Sequence, residues 1–247
     1  METRNLSIDN ITSQAWGLTK KHLLTFLVLT ILMQIIAYIP NVIQYGDYLQ
    51  IVLTSGDPAL IEQMILEPAS PAMQLKSSIA TLICLIIAIY PTIVIYRLAN
   101  DAARGEQPDL AGRLKDGFRG LGFFLIVYIV YCLLVGIGAV FCLLPGIFLA
   151  IRFLFAPLIA ALYPERSFAD CFSESWNITK GHFWTLFLMG IVVILLAILG
   201  MICCCVGVFV TNIITNFMLI LTYRTLSGEA DEPAEDFTSE NLTVVSE

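Results

Sequence analysis

The chain has 247 residues, of which 58% are hydrophobic and only 13% charged. Soluble domains run at roughly 45–50% apolar and about 25% charged, so a water-soluble globular protein is excluded. The formal net charge of −7 belongs mostly to one end, because seven of the twenty carboxylates lie beyond residue 227, where there is no Lys or Arg.

Crossing a hydrocarbon core of about 30 Å takes roughly 17–25 helical residues. The first 22 residues are a polar preamble. The apolar run after them has no small-residue cleavage site at its end, so it reads as a retained helix and not as a signal peptide. Six runs are long enough to span: 23–39, 79–96, 121–141, 143–163, 183–201 and 203–223. The third nearly merges with the fourth and the fifth with the sixth, and Leu144-Pro145-Gly146 and the stretch 203–207 supply the turns. Segment 41–75 reads as the sizeable loop between the first two runs, with a short helix around 58–66. The expectation is an all-α integral membrane domain of six transmembrane helices over residues 1–226, followed by a disordered acidic tail over 227–247.

Basic residues are retained on the cytoplasmic side during insertion. With the N-terminus inside, the inner segments hold Arg4, Lys20, Lys21, Arg97, Arg104, Arg113, Lys115, Arg119, Arg166, Lys180 and Arg224, whereas the outer ones hold only Lys76. The expected topology therefore places both termini in the cytoplasm.

A repeat organises the chain. Trp16-Gly17-Leu18-Thr19-Lys20-Lys21-His22 precedes the first run, and Trp176-Asn177-Ile178-Thr179-Lys180-Gly181-His182 precedes the fifth. A looser copy spans 109–120 ahead of the third, with Leu110, Leu114 and Phe118 every four residues among Arg113, Lys115, Asp116 and Arg119. Each copy suits an amphipathic helix at the inner membrane surface, with basic residues toward anionic headgroups. The six helices then parse as three hairpins, each preceded by an interfacial helix. The competing reading is that Trp, Lys and His are simply common at membrane interfaces.

The stretch 143–153 (LLPGIFLAIRF), then 167–176 (SFADCFSESW) and 179–184 (TKGHFW), with Tyr96-Arg97, Ala103-Arg104-Gly105-Glu106 and Phe118-Arg119, resembles a bacterial multi-pass membrane family of uncharacterised function. That family is related to the membrane domain of glycerophosphoryl diester phosphodiesterases. The resemblance covers roughly residues 90–200 and implies a six-helix domain in a bacterial inner membrane. It carries over no activity, because the phosphodiester chemistry of those enzymes resides in an attached soluble barrel.

Arg152 is the foremost candidate site residue, since a charge inside a membrane helix costs at least about 2.5–3.5 kcal/mol on insertion scales. It either faces the bundle interior and holds an anionic group such as a lipid phosphate, or bonds carbonyls freed near Pro145 or Pro157 and fixes packing. Asn212 and Asn216, one turn apart in the sixth run, are partners for Arg152 or interhelical glue. Trp16, Lys20 and His22, with Trp176, Lys180 and His182, are candidate headgroup contacts or ordinary interfacial residues. Gly136, Gly138, Gly190 and Gly200 read as close-packing positions. Cys203, Cys204 and Cys205 read as apolar filler in preference to metal ligands or a disulfide with Cys142.

No catalytic constellation stands out: the runs hold no carboxylate pair, no HExxH and no Ser–His arrangement. No cofactor, metal or nucleic-acid partner is expected. Two functions remain. One is a non-enzymatic protein that binds or moves lipid or a small amphiphile, its partners anionic headgroups at the cytoplasmic face. The other is a structural or regulatory subunit that docks a protein partner through the outer loop or the acidic tail.

Overall fold

The computed structural model describes residues 7–55, 71–202 and 206–229, which form helices joined by short turns with no strand among them. In chain order these are α1 (Ile8–Ser55), α2 (Pro71–Arg104), α3 (Leu110–Asp116), α4 (Leu121–Phe141), α5 (Leu143–Arg152), α6 (Ala156–Leu162), α7 (Phe168–Thr179), α8 (Phe183–Ile202) and α9 (Val206–Ser227). Six described stretches are long and apolar enough to cross a membrane: Ile8–Pro40, Gln74–Arg104, Leu121–Phe141, Leu143–Leu162, Phe183–Ile202 and Gly207–Ser227.

Those six stretches fit a multi-pass membrane protein, because a helix satisfies its own backbone where no water can. Their side chains agree with a lipid solvent. In α4 and α8 only 17% of the most apolar window is buried, and Leu24 and Val140 are 79% and 87% exposed. A water-soluble surface does not carry apolar area on that scale.

The tightest core forms where α1 packs on α2 and α9, and α2 on α9. Phe26 of α1 meets Phe217 of α9 with ring centroids 4.8 Å apart, and Ile93, Leu98, Ile213 and Met218 close around them. The α4 helix packs on α5 and α6, and α7 fastens to α6. Glycine brings α4 and α5 to backbone contact. A Cβ on Gly146 would lie 2.8 Å from Ala139 Cα, and one on Gly138 would lie 3.0 Å from Gly146 Cα. Gly200 likewise meets Thr211, whereas Gly136 and Gly190 face open space. Close packing therefore describes two of the four glycines singled out from sequence.

Three features depart from the sequence reading. First, α1 passes through Pro40 to Ser55, and α2 begins at Pro71, so both ends of the expected loop 41–75 are helical. A proline removes one ladder bond, which membrane helices tolerate. The short helix expected near 58–66, the cysteines at 203–205 and most of the acidic tail lie outside the described residues.

Second, α1 is broken at His22, whose φ of −116° and ψ of 19° leave the helical region. The preamble thus forms its own helical arm, and Thr12 and Trp16 of that arm line an apolar cavity of about 500 Å³ with Gly200, Val210, Thr211 and Ile214.

Third, the fourth run is two helices, parted at residues 153–155. Pro157 falls in the first turn of α6, where its missing N–H costs no bond.

Candidate functional site

The break in the fourth run needs partners for its freed backbone groups, and α7 supplies them. Ser167 starts α7 with a capping box: its hydroxyl accepts from the Asp170 N–H while the Asp170 carboxylate accepts from the Ser167 N–H. From there Cys171, Ser175 and Thr179 recur every four residues and are all buried. The Ser175 hydroxyl accepts from the Phe155 N–H at 3.2 Å and donates to the Arg152 carbonyl at 2.9 Å, so it bridges the break. Thr179 adds a second, longer bond to the same carbonyl at 3.3 Å.

The same face recurs 160 residues earlier. Ile11, Ala15 and Thr19 are buried as Cys171, Ser175 and Thr179 are, and Thr19 donates to the Ala15 carbonyl as Thr179 donates to that of Ser175. Trp16 and Trp176 point outward, 45% and 37% exposed. After each arm the chain bends, at His22 and at 180–182, and the next helix buries Phe26 and Leu29 in one copy, Leu186 and Met189 in the other.

Each tryptophan carries a cation on its ring. Lys20 Nζ sits 5.0 Å from the Trp16 centroid, and the Arg152 guanidinium sits 4.9 Å from Trp176 and 5.2 Å from Phe148. Arg152 is the last residue of α5, and Phe155, just beyond it, packs at a tilt against Tyr223 beside Arg224, ring centroids 5.9 Å apart. Arg152 Nε and Nη1 are buried, yet neither donates to any acceptor among the described residues.

The structure therefore unites Arg152 with Trp176 and Phe148, and Trp16 with Lys20. Asn212 and Asn216 do not reach Arg152: Asn216 Nδ2 donates to the Asn212 side chain at 3.0 Å and carbonyl at 2.9 Å. Lys180 is exposed just past α7, and the half-buried His182 occupies the turn into α8, its N–H donating to the Thr179 carbonyl.

Sequence reasoning counted several arginines only as topological charge, although they form a buried polar cluster. Arg97, 7% exposed, donates from Nε to the Ala161 carbonyl at 2.8 Å, from Nη1 to Asp116 at 2.8 Å and from Nη2 to Arg119 at 3.0 Å. It thereby caps the C-terminal ends of α6 and α3, where the helix dipole is negative. Arg113 grips Asp101 with two bonds of 2.7 Å, which raises the Arg113 pKa above its ordinary value. Beside them, Tyr163 and Tyr223 both donate to Glu229 Oε1, Arg224 donates to Asn100 and to the Glu229 carbonyl, and Arg166 pairs with Glu174. Burial, then the bond to Glu229, pushes Tyr163 up to about 12.

The legible signal for this cluster is a repeated Tyr-Arg pair, Tyr96-Arg97 in the last third of α2 and Tyr223-Arg224 in the last turns of α9.

Chemically the cluster is a clasp that commits Arg97 to backbone carbonyls and Arg113 to Asp101, and the Arg152 site offers unmatched donors between aromatic faces. Among the described residues no three His, Cys, Asp or Glu side chains converge as metal ligands. No protein-family model, curated protein or solved structure matches the chain.

Proposed function

We propose that this is a non-enzymatic membrane protein that holds an anionic lipid headgroup at Arg152. One observation carries the reading: two guanidinium donors are buried without acceptors among the described residues while the Phe148 and Trp176 rings clamp the group in place. A buried N–H without a partner costs about 1–3 kcal/mol, and phosphate oxygens are the natural acceptors for an arginine fork.

In this proposal the arginine-bearing ends of α2 and α9, with Arg166 just past α6, face the cytoplasm of a bacterial inner membrane. The six spans form three hairpins. The arms at Trp16 and Trp176 and the short α3 ride at the lipid boundary, where Lys20 and Lys180 meet further headgroups. The kinship to the membrane domain of glycerophosphoryl diester phosphodiesterases belongs to the same proposal.

The test is native mass spectrometry with lipid identification on gently solubilised protein, comparing wild type with Arg152→Ala and Arg152→Lys. A defined anionic lipid should stay on wild type, leave the folded Ala variant and bind more weakly to Lys, which keeps the charge but not the fork. If wild type and both variants retain the same lipids, Arg152 is a packing residue. The reading as a subunit of a larger complex then takes precedence.

A further inference from the structure

We propose a second anion site, a cavity beside Arg97 that takes a phosphate group through Arg104, Arg119 and Asn100. It shares no residue with the Arg152 site and does not rest on that reading.

The cavity encloses about 280 Å³ between the end of α2, α3 with the turn after it, and residues 162–165. Drug-sized ligands occupy pockets of roughly 300–1,000 Å³, so this one suits a small polar group and not an acyl chain. Its walls are charged: Arg97, Arg104, Arg113 and Arg119 face Asp101, Asp116 and Glu165. Four cations against three carboxylates leave one positive charge over.

With Arg113 and Asp101 paired, Arg97, Arg104 and Arg119 share the wall with Asp116 and Glu165, which form no ion pair among the described residues, so a single net positive charge remains. Arg97 spends its three nitrogens on backbone carbonyls, and Arg113 and Asp101 neutralise each other through two short bonds. Arg104 and Arg119 stand exposed and make no ion pair among the described residues. The Arg97 bond to the Arg119 carbonyl anchors the Arg119 backbone at the cavity. Asn100 is buried and accepts from Arg224 with its side-chain oxygen, which leaves the amide N–H₂ to donate. Two forked cations and an amide donor on a scaffold locked by Arg97 match the oxygens of a phosphate. The phosphate could come from a lipid headgroup, reaching in from the membrane surface, or from a soluble phosphate ester.

The experiment measures binding to the purified full chain, by calorimetry for inorganic phosphate and glycerol 3-phosphate. Flotation follows with vesicles of phosphatidylglycerol in phosphatidylcholine. Two exposed charges are removed in Arg104→Gln/Arg119→Gln, and two others in Lys76→Gln/Lys115→Gln as a charge-matched control. At least one probe should bind saturably to wild type, to the lysine control and to Arg152→Ala, and at least tenfold more weakly to the arginine variant. Saturable binding of glycerol 3-phosphate marks a soluble source, and binding confined to vesicles marks a headgroup. The proposal is overturned if no probe saturates, if the folded arginine variant binds as wild type does, or if the lysine control loses as much as the arginine variant.

Discussion

Replacing Ser175 with alanine isolates the bridge across the fourth span. The side chain is fully buried, and its hydroxyl is, among the described residues, the only acceptor of the Phe155 N–H as well as the shorter of two donors to the Arg152 carbonyl. Shape is not at stake, because the first copy of the arm carries Ala15 at the matching buried position. The loss therefore comes from hydrogen bonding. Orphaning one buried N–H costs about 1–3 kcal/mol, and weakening a shared carbonyl adds less than a whole bond of about 1 kcal/mol. Ser175→Ala should destabilise the protein by about 2 kcal/mol, whereas Ala15→Ser should change stability by less than about 0.5 kcal/mol because the first copy has no break to bridge. Equilibrium unfolding in mixed micelles, followed by tryptophan fluorescence, reads both. A Ser175→Ala variant within about 0.5 kcal/mol of wild type would refute the bridge.

Arg97→Met should cost about 3 kcal/mol or more in the same assay, since it strips a charged donor from three carbonyls. Arg97→Lys should recover only part, because an ammonium cannot span them. Gly138→Leu should destabilise by about 1–3 kcal/mol through overpacking against Gly146, while Gly136→Leu, which meets nothing within 4 Å, should be near neutral. Tyr163 holds its proton up to about 12, against an unfolded value of about 10. Its contribution to stability is thus complete below about pH 10 and lost as pH rises toward 12. Melting curves across that window should fall less steeply for Tyr163→Phe than for wild type, and parallel curves would remove Tyr163 from the account.

Hydropathy made the six apolar stretches legible because a bilayer demands length and little else. The arms at Trp16 and Trp176 were equally legible, since their motif recurs as sequence. The break at 153–155 was legible only in part: Pro157 marks a place where carbonyls are freed, but no turn residue interrupts Phe153-Leu154-Phe155, and Ser175, which bridges the break, lies twenty residues away. The first apolar run stops at residue 39, where Asn41, Gln44 and Asp47 follow, yet the chain stays helical to Ser55, because hydropathy marks where a span ends and not where a helix does. The arginine clasp stayed hidden for a different reason. Positive charge near a span end is explained so well by topology that Arg97 prompted no search for acceptors, and its three acceptors are backbone atoms of residues 116, 119 and 161, which no side-chain pattern announces. Around Arg152 stand the Phe148 and Trp176 rings, whereas Asn212 and Asn216, read as its partners or as interhelical glue, bond to each other.

The clasp also orders events in time. Arg97 leaves the ribosome before every carbonyl it will cap, and the last of them, on Ala161, follows 64 residues later. Until then its Nε has only water and headgroups to satisfy it, so the end of α2 stays at the aqueous boundary. The first helix pair can enter the membrane early but acquires its final fastening only when the second pair has been made, which couples the assembly of the two pairs.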